Sequence, residues 1–289
     1  MTRPHGFTLI ELAIVLVIIT ILIGGLAVPL SAQIQARRVA ETQRTLEEAR
    51  EAIIGYALSK SILVDVDPGP TTENFIRHTY LPCPDVSDTD PAGDADKDGQ
   101  PDDRNNGLED RNTDGTCSSN FGNIPWATLG VGTQDAWGNR LHYRITNASP
   151  ATPPPNDLPR YGDDVGESFS STSTGDNQIC GSNVGCSGLA KGDQASDVPV
   201  VIISYGPNSR GARNVNLSPT APTPTPPAIT GPDEDENLDG DAFYVSRSAS
   251  DANHSGGEFD DLVVWIPHGL LISRVCGSIG CTETPPPGP

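Results

Sequence analysis

The sequence predicts an α+β fold in which a long N-terminal helix packs on an antiparallel β-sheet within an enlarged, loop-rich, disulfide-containing head. Three observations predict it. An apolar run, Leu12–Leu30, is followed by a helical repeat of apolar residues that continues to Lys60. Beyond Lys60 the apolar residues come in short segments, several of them with the alternation of a half-buried strand. Proline and glycine, 27 and 30 of the 289 residues, divide those segments with turns and loops.

The N-terminal segment combines a short basic leader, residues 1–6, with a stretch long enough to cross a bilayer. The run Leu12–Leu30 carries no charge. At a rise of about 1.5 Å per residue it spans about 28 Å, close to the thickness of a bilayer core. We therefore expect residues 7–30 to form a membrane-spanning helix with a cytoplasmic N-terminus, although Arg37 and Arg38 oppose that orientation. Cleavage of an ordinary secretory signal at Ala27–Ala32 is the alternative.

Glu11 lies at the start of this apolar stretch, where a carboxylate is costly unless it is paired. Residues 6–11 read Gly-Phe-Thr-Leu-Ile-Glu and lead directly into the apolar run. In this pattern the N-terminus resembles the cleavage and methylation signature of type IV prepilins and type II secretion pseudopilins. The resemblance implies that a prepilin peptidase cuts after Gly6 and methylates the new amino terminus of Phe7, and that Glu11 pairs with an amino terminus during assembly. The alternative is that Glu11 lies at headgroup level and reaches the water there.

The resemblance also implies a function and a location. It implies a structural subunit that waits in the inner membrane with its head in the periplasm. An inner-membrane assembly platform would then incorporate it, with other pilin or pseudopilin subunits, into a secretion pseudopilus or a cell-surface type IV pilus. The long head favours a specialised or minor subunit. A filament-tip adhesion module is the second hypothesis and a membrane-anchored enzyme the third. We expect no enzyme, because the sequence has no G-x-S-x-G, H-E-x-x-H or phosphate-binding glycine motif.

We predict that residues 31–60 form an amphipathic helix that continues the apolar segment, and that residues 61–289 form the head. The apolar row of this helix recurs every seven residues, and smaller side chains fill the adjacent row. The two rows are Val39, Leu46 and Ile53, and Thr42, Ala49 and Ala57. An independent surface helix is the alternative.

Five segments of the head predict strands. The clearest is Leu141–Ile145, where apolar and polar residues alternate. The others are Val198–Tyr205, Ala242–Ser246, Leu262–Ile266 and Leu270–Val275. A sheet built from such strands must bury one face, and the apolar row of the helix offers a partner for it.

Six cysteines form no C-x-x-C pair, which weighs against a zinc ribbon or a thioredoxin-like site. In an oxidising compartment they would form three disulfides, for which fifteen connectivities exist. We favour the local pairings, which are Cys83–Cys117, Cys180–Cys186 and Cys276–Cys281.

The net charge of −20 is concentrated in two stretches of the head. Residues 85–114 contain eleven acids against three basic residues, and residues 231–261 contain ten acids against one. Such fields repel phosphate backbones, so we expect no nucleic-acid partner. They suit either simple solubility or a divalent cation.

The first acidic stretch contains the sharpest candidate for a metal site. Alternate carboxylates in a tight loop with Gly99 can converge on a calcium ion, which takes six to eight oxygen ligands. The candidate ligands are Asp94, Asp96, Asp98 and Asp102. Asn105 occupies the position where an EF-hand has a bidentate glutamate, so the pattern fits a shorter calcium loop better. The second acidic stretch offers an alternative set, which is Asp233, Asp235, Asn237, Asp239, Asp260 and Asp261. A solvated acidic loop without a metal is the competing interpretation.

Overall fold

A computed structural model describes residues 8–65, 75–86, 106–111, 117, 119–146, 175–186, 192–216 and 231–275. Four of the predictions fall on residues outside these ranges. They concern Gly6, Phe7, the first acidic loop (residues 94–102) and the pair Cys276–Cys281. The chain divides into two compact units, Met1–Glu41 and Thr42–Pro289.

The described residues form five helices and nine strands. The helices are α1 (Leu9–Ser59), α2 (Trp126–Leu129), α3 (Asn183–Cys186), α4 (Pro232–Glu236) and α5 (His268–Val275). The strands are β1 (Ser61–Asp65), β2 (Phe75–Thr79), β3 (Phe121–Asn123), β4 (His142–Ile145), β5 (Asn177–Cys180), β6 (Ala195–Val198), β7 (Val200–Ser204), β8 (Phe243–Val245) and β9 (Leu262–Ile266).

In the first unit, α1 begins at Leu9 and exposes its large apolar side chains. Those between Leu9 and Leu22 are 44–88% exposed. Within the described residues, no helix is both long enough and apolar enough to cross a membrane.

In the second unit, the last third of α1 forms part of the head's core. The predicted rows are confirmed there, because Thr42, Leu46, Ala49, Ile53 and Ala57 are fully buried. The helix is continuous from Leu9, which agrees with the predicted continuation of the apolar segment and not with the alternative of an independent surface helix. Ile54 and Tyr56 join the buried face, which therefore is wider than the heptad pattern alone indicated.

The central sheet has four strands in the order β3-β4-β7-β9, and every neighbouring pair is antiparallel. One of its faces packs on α1, where Leu46 and Ile53 share a core with Tyr143 and Ile202. The opposite face carries Val201 and packs on a second, three-stranded sheet. The central strand β7 is buried on both faces, which explains its uninterrupted apolar run. The head therefore has three layers, with the four-stranded sheet in the middle.

The second sheet has the order β6-β5-β8 and is mixed, since β5 pairs antiparallel with β6 and parallel with β8. Ile179 and Tyr244 of this sheet pack with Val201 and Ile203 of the central sheet. Strands β1 and β2 form a separate antiparallel ribbon. This architecture, an N-terminal helix with antiparallel sheet in an α+β head, agrees with the predicted fold class and is consistent with a pilin-like fold.

Two strand predictions need correction. The segment Leu270–Val275 is helical, because Leu271 and Val275 are four residues apart and face the core together, and the Leu271 amide donates to the Pro267 carbonyl at 3.1 Å. The segment Val198–Tyr205 is two strands of different sheets. Pro199, which cannot donate a ladder hydrogen bond, separates β6 from β7.

Two of the predicted disulfides are present. Cys83 and Cys117 are bonded with Cα atoms 5.3 Å apart, and Cys180 and Cys186 with Cα atoms 5.5 Å apart. The first closes a long loop that includes the first acidic stretch, and the second closes a short loop at α3, since its cysteines are six positions apart.

Candidate functional site

Glu11 lies in the first turn of α1, where its carboxylate is held by Thr8. Its Oε2 accepts hydrogen bonds from the Thr8 amide at 2.9 Å and from the Thr8 hydroxyl at 2.8 Å. The Glu11 amide in turn donates to the Thr8 hydroxyl at 3.4 Å. This is a reciprocal capping box, in which two helix-terminal amides are satisfied by side chains. The Thr-x-x-Glu spacing in the sequence was sufficient to indicate it.

The Glu11 carboxylate is also exposed, and the apolar residues that follow it are exposed as well. In the described part of α1 up to Leu22, every large apolar side chain faces solvent in the isolated chain. A continuous exposed apolar surface of this kind is typical of a segment that lipid or another protein covers.

The second acidic stretch is arranged around the short helix α4. Some of its predicted ligands are already engaged with arginines. Asp233 is buried and its Oδ2 accepts from Arg247 Nε at 2.6 Å, and the exposed Asp235 pairs with Arg210. These two carboxylates are therefore neutralised within the fold rather than directed at a common point.

Asn237 is fully buried and forms part of the backbone scaffold beside α4. Its side-chain oxygen accepts from the Val245 amide at 2.7 Å, and its Nδ2 donates to the Val245 carbonyl at 3.1 Å and to Asp261 Oδ2 at 2.8 Å. The amide thus fixes the position of Asp261 in the loop before β9.

The structure brings Asp260 and Asp261 together with Glu234, which the sequence analysis did not include. One carboxylate oxygen of each lies within 4.8 Å of the others. Glu234 and Asp261 are 2% and 5% exposed. We call these three residues the buried carboxylate cluster. Arg210 forms an ion pair with this cluster, because its Nη1 lies 3.5 Å from Glu234 Oε2.

The geometry of the cluster is set by the turn that follows β7. The Asn208 side-chain amide donates to Glu234 Oε1 at 2.9 Å, and the Asn208 backbone amide donates to Asp260 Oδ2 at 3.1 Å. Gly206 has a positive φ of 60°, and a Cβ there would lie 2.4 Å from the Asp260 carbonyl oxygen and from Oδ1. Only glycine permits this close approach.

The electrostatics of the cluster are unfavourable for three ionised carboxylates. The pKa of Asp260 is raised to about 7, mainly by burial and secondly by the neighbouring negative charge of Glu234. Burial raises the pKa of Asp261 well above its usual range, and it raises the pKa of Glu234 as well. Asp260 Oδ1 is buried and accepts no hydrogen bond from the residues that the structure describes. A carboxylate oxygen that is free of hydrogen bonds and lies near other carboxylate oxygens is the kind of ligand that a hard cation such as calcium prefers.

A second group of carboxylates, Glu236, Asp239 and Asp241, lies at the surface beyond α4 and also has oxygens within 4.8 Å of one another. Asp239 and Asp241 accept backbone amides from Asp241 and Phe243, at 3.0 and 2.7 Å, and shape the turn into β8. Of the predicted alternative ligands, Asp239 thus lies in this exposed group, while Asp260 and Asp261 lie in the buried cluster.

The sequence around the capping box at Glu11 matches a known motif. Residues 1–27 match the model of the prokaryotic N-terminal methylation motif. This motif is the signature of type IV pilins and pseudopilins, which prepilin peptidase processes, and it points to a structural subunit rather than to an enzyme. The match covers Gly6, Phe7 and Glu11, the residues predicted for cleavage, methylation and pairing. No curated protein and no solved structure matches the chain.

Proposed function

We propose that this chain is a subunit of a helical filament, either a type II secretion pseudopilus or a type IV pilus, and that it is cut after Gly6 and methylated at Phe7 before assembly. The observation that carries the proposal is the methylation motif at residues 1–27, joined to a helix whose apolar side chains are exposed from Leu9 to Leu22. A lipid bilayer before assembly, and neighbouring helices after it, would cover that surface.

Glu11 has a specific role in this proposal. A carboxylate moved into an apolar filament core must be paired, because an uncompensated buried charge is strongly destabilising. In the isolated chain Thr8 provides the hydrogen-bond donors, but it provides no positive charge. The methylated amino terminus of Phe7 in a neighbouring subunit would provide that charge. The capping box keeps Glu11 in position for it.

Before assembly the subunit would be anchored in the inner membrane through residues 7–30, with the head in the periplasm. Prepilin peptidase and an inner-membrane assembly platform would be its first partners, and other pilin or pseudopilin subunits its partners in the filament. Disulfides Cys83–Cys117 and Cys180–Cys186 support an oxidising compartment for the head. The large head supports a specialised or minor subunit.

We further propose that the head binds calcium. The first candidate site is the acidic loop with Asp94, Asp96, Asp98 and Asp102. The second is the buried carboxylate cluster, where Glu234, Asp260 and Asp261 fit a hard cation because their oxygens lie close together and no described residue donates a hydrogen bond to Asp260 Oδ1. Bound calcium would offset the mutual repulsion of the carboxylates and would stabilise the folded head by mass action.

Processing is tested by replacing the residue at the cleavage position. A side chain at Gly6 should block access to the scissile bond, so Gly6→Val should accumulate a precursor that retains residues 1–6. His5→Ala changes the neighbouring leader position and is the matched control, which should be cut normally. Intact-mass measurement of both variants distinguishes the precursor from the mature chain. A mature N-terminus at Phe7 in Gly6→Val would refute the assignment.

A further inference from the structure

The loop between β8 and β9 carries a sequence triplet that enzymes can modify. Residues 253–255 read Asn-His-Ser, the Asn-x-Ser pattern of an acceptor for N-linked glycosylation. We propose that the side-chain nitrogen of Asn253 accepts an oligosaccharide from a polyprenyl-pyrophosphate donor, through a bacterial oligosaccharyltransferase. This inference rests on the proposed function, because these enzymes transfer the glycan on the periplasmic side of the inner membrane, where the head of the proposed subunit lies.

The sequence contains three such triplets, and Asn253 is the least restricted acceptor among them. In the triplets that begin at Asn147 and Asn216, the serine is followed directly by proline. Proline confines the residue before it to extended backbone conformations, which limits the approach of the serine hydroxyl to the asparagine side chain. Ser255 is followed by Gly256, which imposes no such restriction.

The tip of the loop presents the acceptor to solvent, since residues 251–255 are all exposed. Asp251 Oδ1 accepts the backbone amide of Asn253 at 2.9 Å, which shapes a local turn. Among the described residues, none forms a hydrogen bond with the side-chain carboxamide of Asn253. Asp251 also supplies the acidic residue of the longer acceptor pattern Asp/Glu-x-Asn-x-Ser/Thr that bacterial oligosaccharyltransferases select.

The carboxamide of Asn216 is engaged in the structure, because it donates to Asn214 Oδ1 at 3.0 Å. A carboxamide must leave its hydrogen bonds before it can react, and Asn253 has none to leave among the described residues. Exposure, sequence and hydrogen bonding therefore agree on Asn253.

The base of the loop is tied to the head, so a change at the tip need not disturb the fold. Arg247 Nε donates to Asp233 at 2.6 Å, and its Nη2 donates to the Gly257 carbonyl at 3.2 Å. Ser250 and Phe259 exchange both backbone hydrogen bonds, at 2.9 and 3.1 Å.

The tip itself is held by local bonds. The His254 amide donates to the Asp251 carbonyl at 3.1 Å, and the Gly256 amide donates to His254 Nδ1 at 3.0 Å. Exposed local bonds of this kind open at little cost, so the tip can enter an enzyme's active site while the base stays closed.

The transfer forms one bond and breaks one bond without any change of oxidation state. The carboxamide nitrogen of Asn253 bonds to C1 of the first sugar, and the bond from C1 to the pyrophosphate oxygen breaks. The polyprenyl pyrophosphate leaves with the electron pair of that bond. One proton of the amide passes to a basic group of the transferase.

A glycan at Asn253 determines which side of the head stays free in the filament. Attached sugars are bulky and solubilising, so another subunit cannot pack closely against the tip of this loop. The loop between β8 and β9 therefore faces the solvent around the filament.

Trypsin separates the three triplets, so peptide mass spectrometry locates the modification. Cleavage after arginine places Asn147 in residues 145–160, Asn216 in residues 214–247 and Asn253 in residues 248–274. In the full chain isolated from the cells that produce it, we expect peptide 248–274 to be heavier by a whole number of sugar residues. An unmodified peptide 248–274 would overturn the inference. The N-terminal peptide of the same digest tests the proposed function separately, because retention of residues 1–6 would overturn processing whatever the mass of peptide 248–274.

Substitutions in the triplet distinguish an N-linked from an O-linked glycan. Asn253→Gln and Ser255→Ala should each remove the added mass from peptide 248–274, whereas Ser255→Thr keeps the hydroxyl and should retain it. Asn216→Gln, at another exposed asparagine, is the matched control and should leave peptide 248–274 modified. Added mass that persists in Asn253→Gln would place the sugar on a hydroxyl group and overturn the inference.

Discussion

Replacing Asp260 with asparagine should change the stability of the head in opposite directions with and without calcium. Asparagine has the same shape, and its oxygen can still accept the Asn208 amide that now donates to Asp260 Oδ2 at 3.1 Å. Its amino group can donate to the neighbouring carboxylates. The substitution therefore removes a charge from the buried carboxylate cluster without opening a cavity.

The magnitude follows from the pKa of Asp260, which burial and Glu234 raise from an ordinary 3.8 to about 7. A difference of roughly three pH units corresponds to about 4 kcal/mol of penalty for the ionised form. The side chain is partly exposed, and solvent screening reduces that value to about 2 kcal/mol. At pH 8 in chelator, Asp260→Asn should therefore raise the melting temperature by about 4–8 °C.

The pH dependence gives the sign of the effect. Because the folded pKa lies above the unfolded one, protonated Asp260 contributes stability that is present below about pH 4 and lost as the pH rises through about 7. In chelator, wild type and Asp260→Asn should therefore melt together at pH 4 and separate progressively up to pH 8. Asp251→Asn, at an exposed aspartate, is the control and should follow wild type.

Calcium should reverse the order of the two proteins. Binding to the folded head adds about 2.7 kcal/mol of stability at a hundredfold excess over Kd, and Asp260→Asn loses a ligand. Scanning calorimetry on residues 31–289 in chelator and in millimolar calcium measures both effects. A destabilised Asp260→Asn at pH 8 in chelator would refute the charge argument, and a full calcium shift in the variant would remove the cluster as the site.

Further predictions concern the other acidic loop, the helix and the head. If the first acidic loop holds the calcium, Asp96→Ala with Asp98→Ala should abolish the calcium-induced rise in melting temperature, whereas an unchanged rise would exclude that loop. Glu11→Ala should be inserted and cut normally but enter filaments poorly, and normal incorporation measured by immunoblot would contradict the pairing role. A fragment of residues 31–289 should unfold cooperatively, whereas a fragment of residues 61–289 should not, because it lacks the buried face of α1. Thermal melts of the two fragments followed by circular dichroism measure this difference.

The helix was predictable from sequence because one physical signal determines it over many residues. Leu46, Ala49 and Ile53 recur with helical spacing, and each is fully buried in the structure. The strand β7 was also predictable, as an unbroken apolar run. The mixed three-stranded sheet was not, because β5 contains Asn177 and Gln178, which are buried through hydrogen bonds rather than through an apolar pattern.

The buried carboxylate cluster was only partly predictable for a similar reason. Asp260 and Asp261 are conspicuous in an acidic segment, but Glu234 has acidic neighbours on both sides that look identical in sequence. What distinguishes Glu234 is its burial in α4, where it accepts a hydrogen bond from Asn208 in the turn after β7. A contact between residues 26 positions apart has no local sequence signal.

The central claim, that this chain is a processed filament subunit, is tested most directly by the mass of its N-terminal peptide after expression in a cell that has a prepilin peptidase. We expect a peptide that begins at Phe7 and is one methyl group heavier than its sequence. Retention of Met1–Gly6, or an N-terminus within Ala27–Ala32, would contradict it.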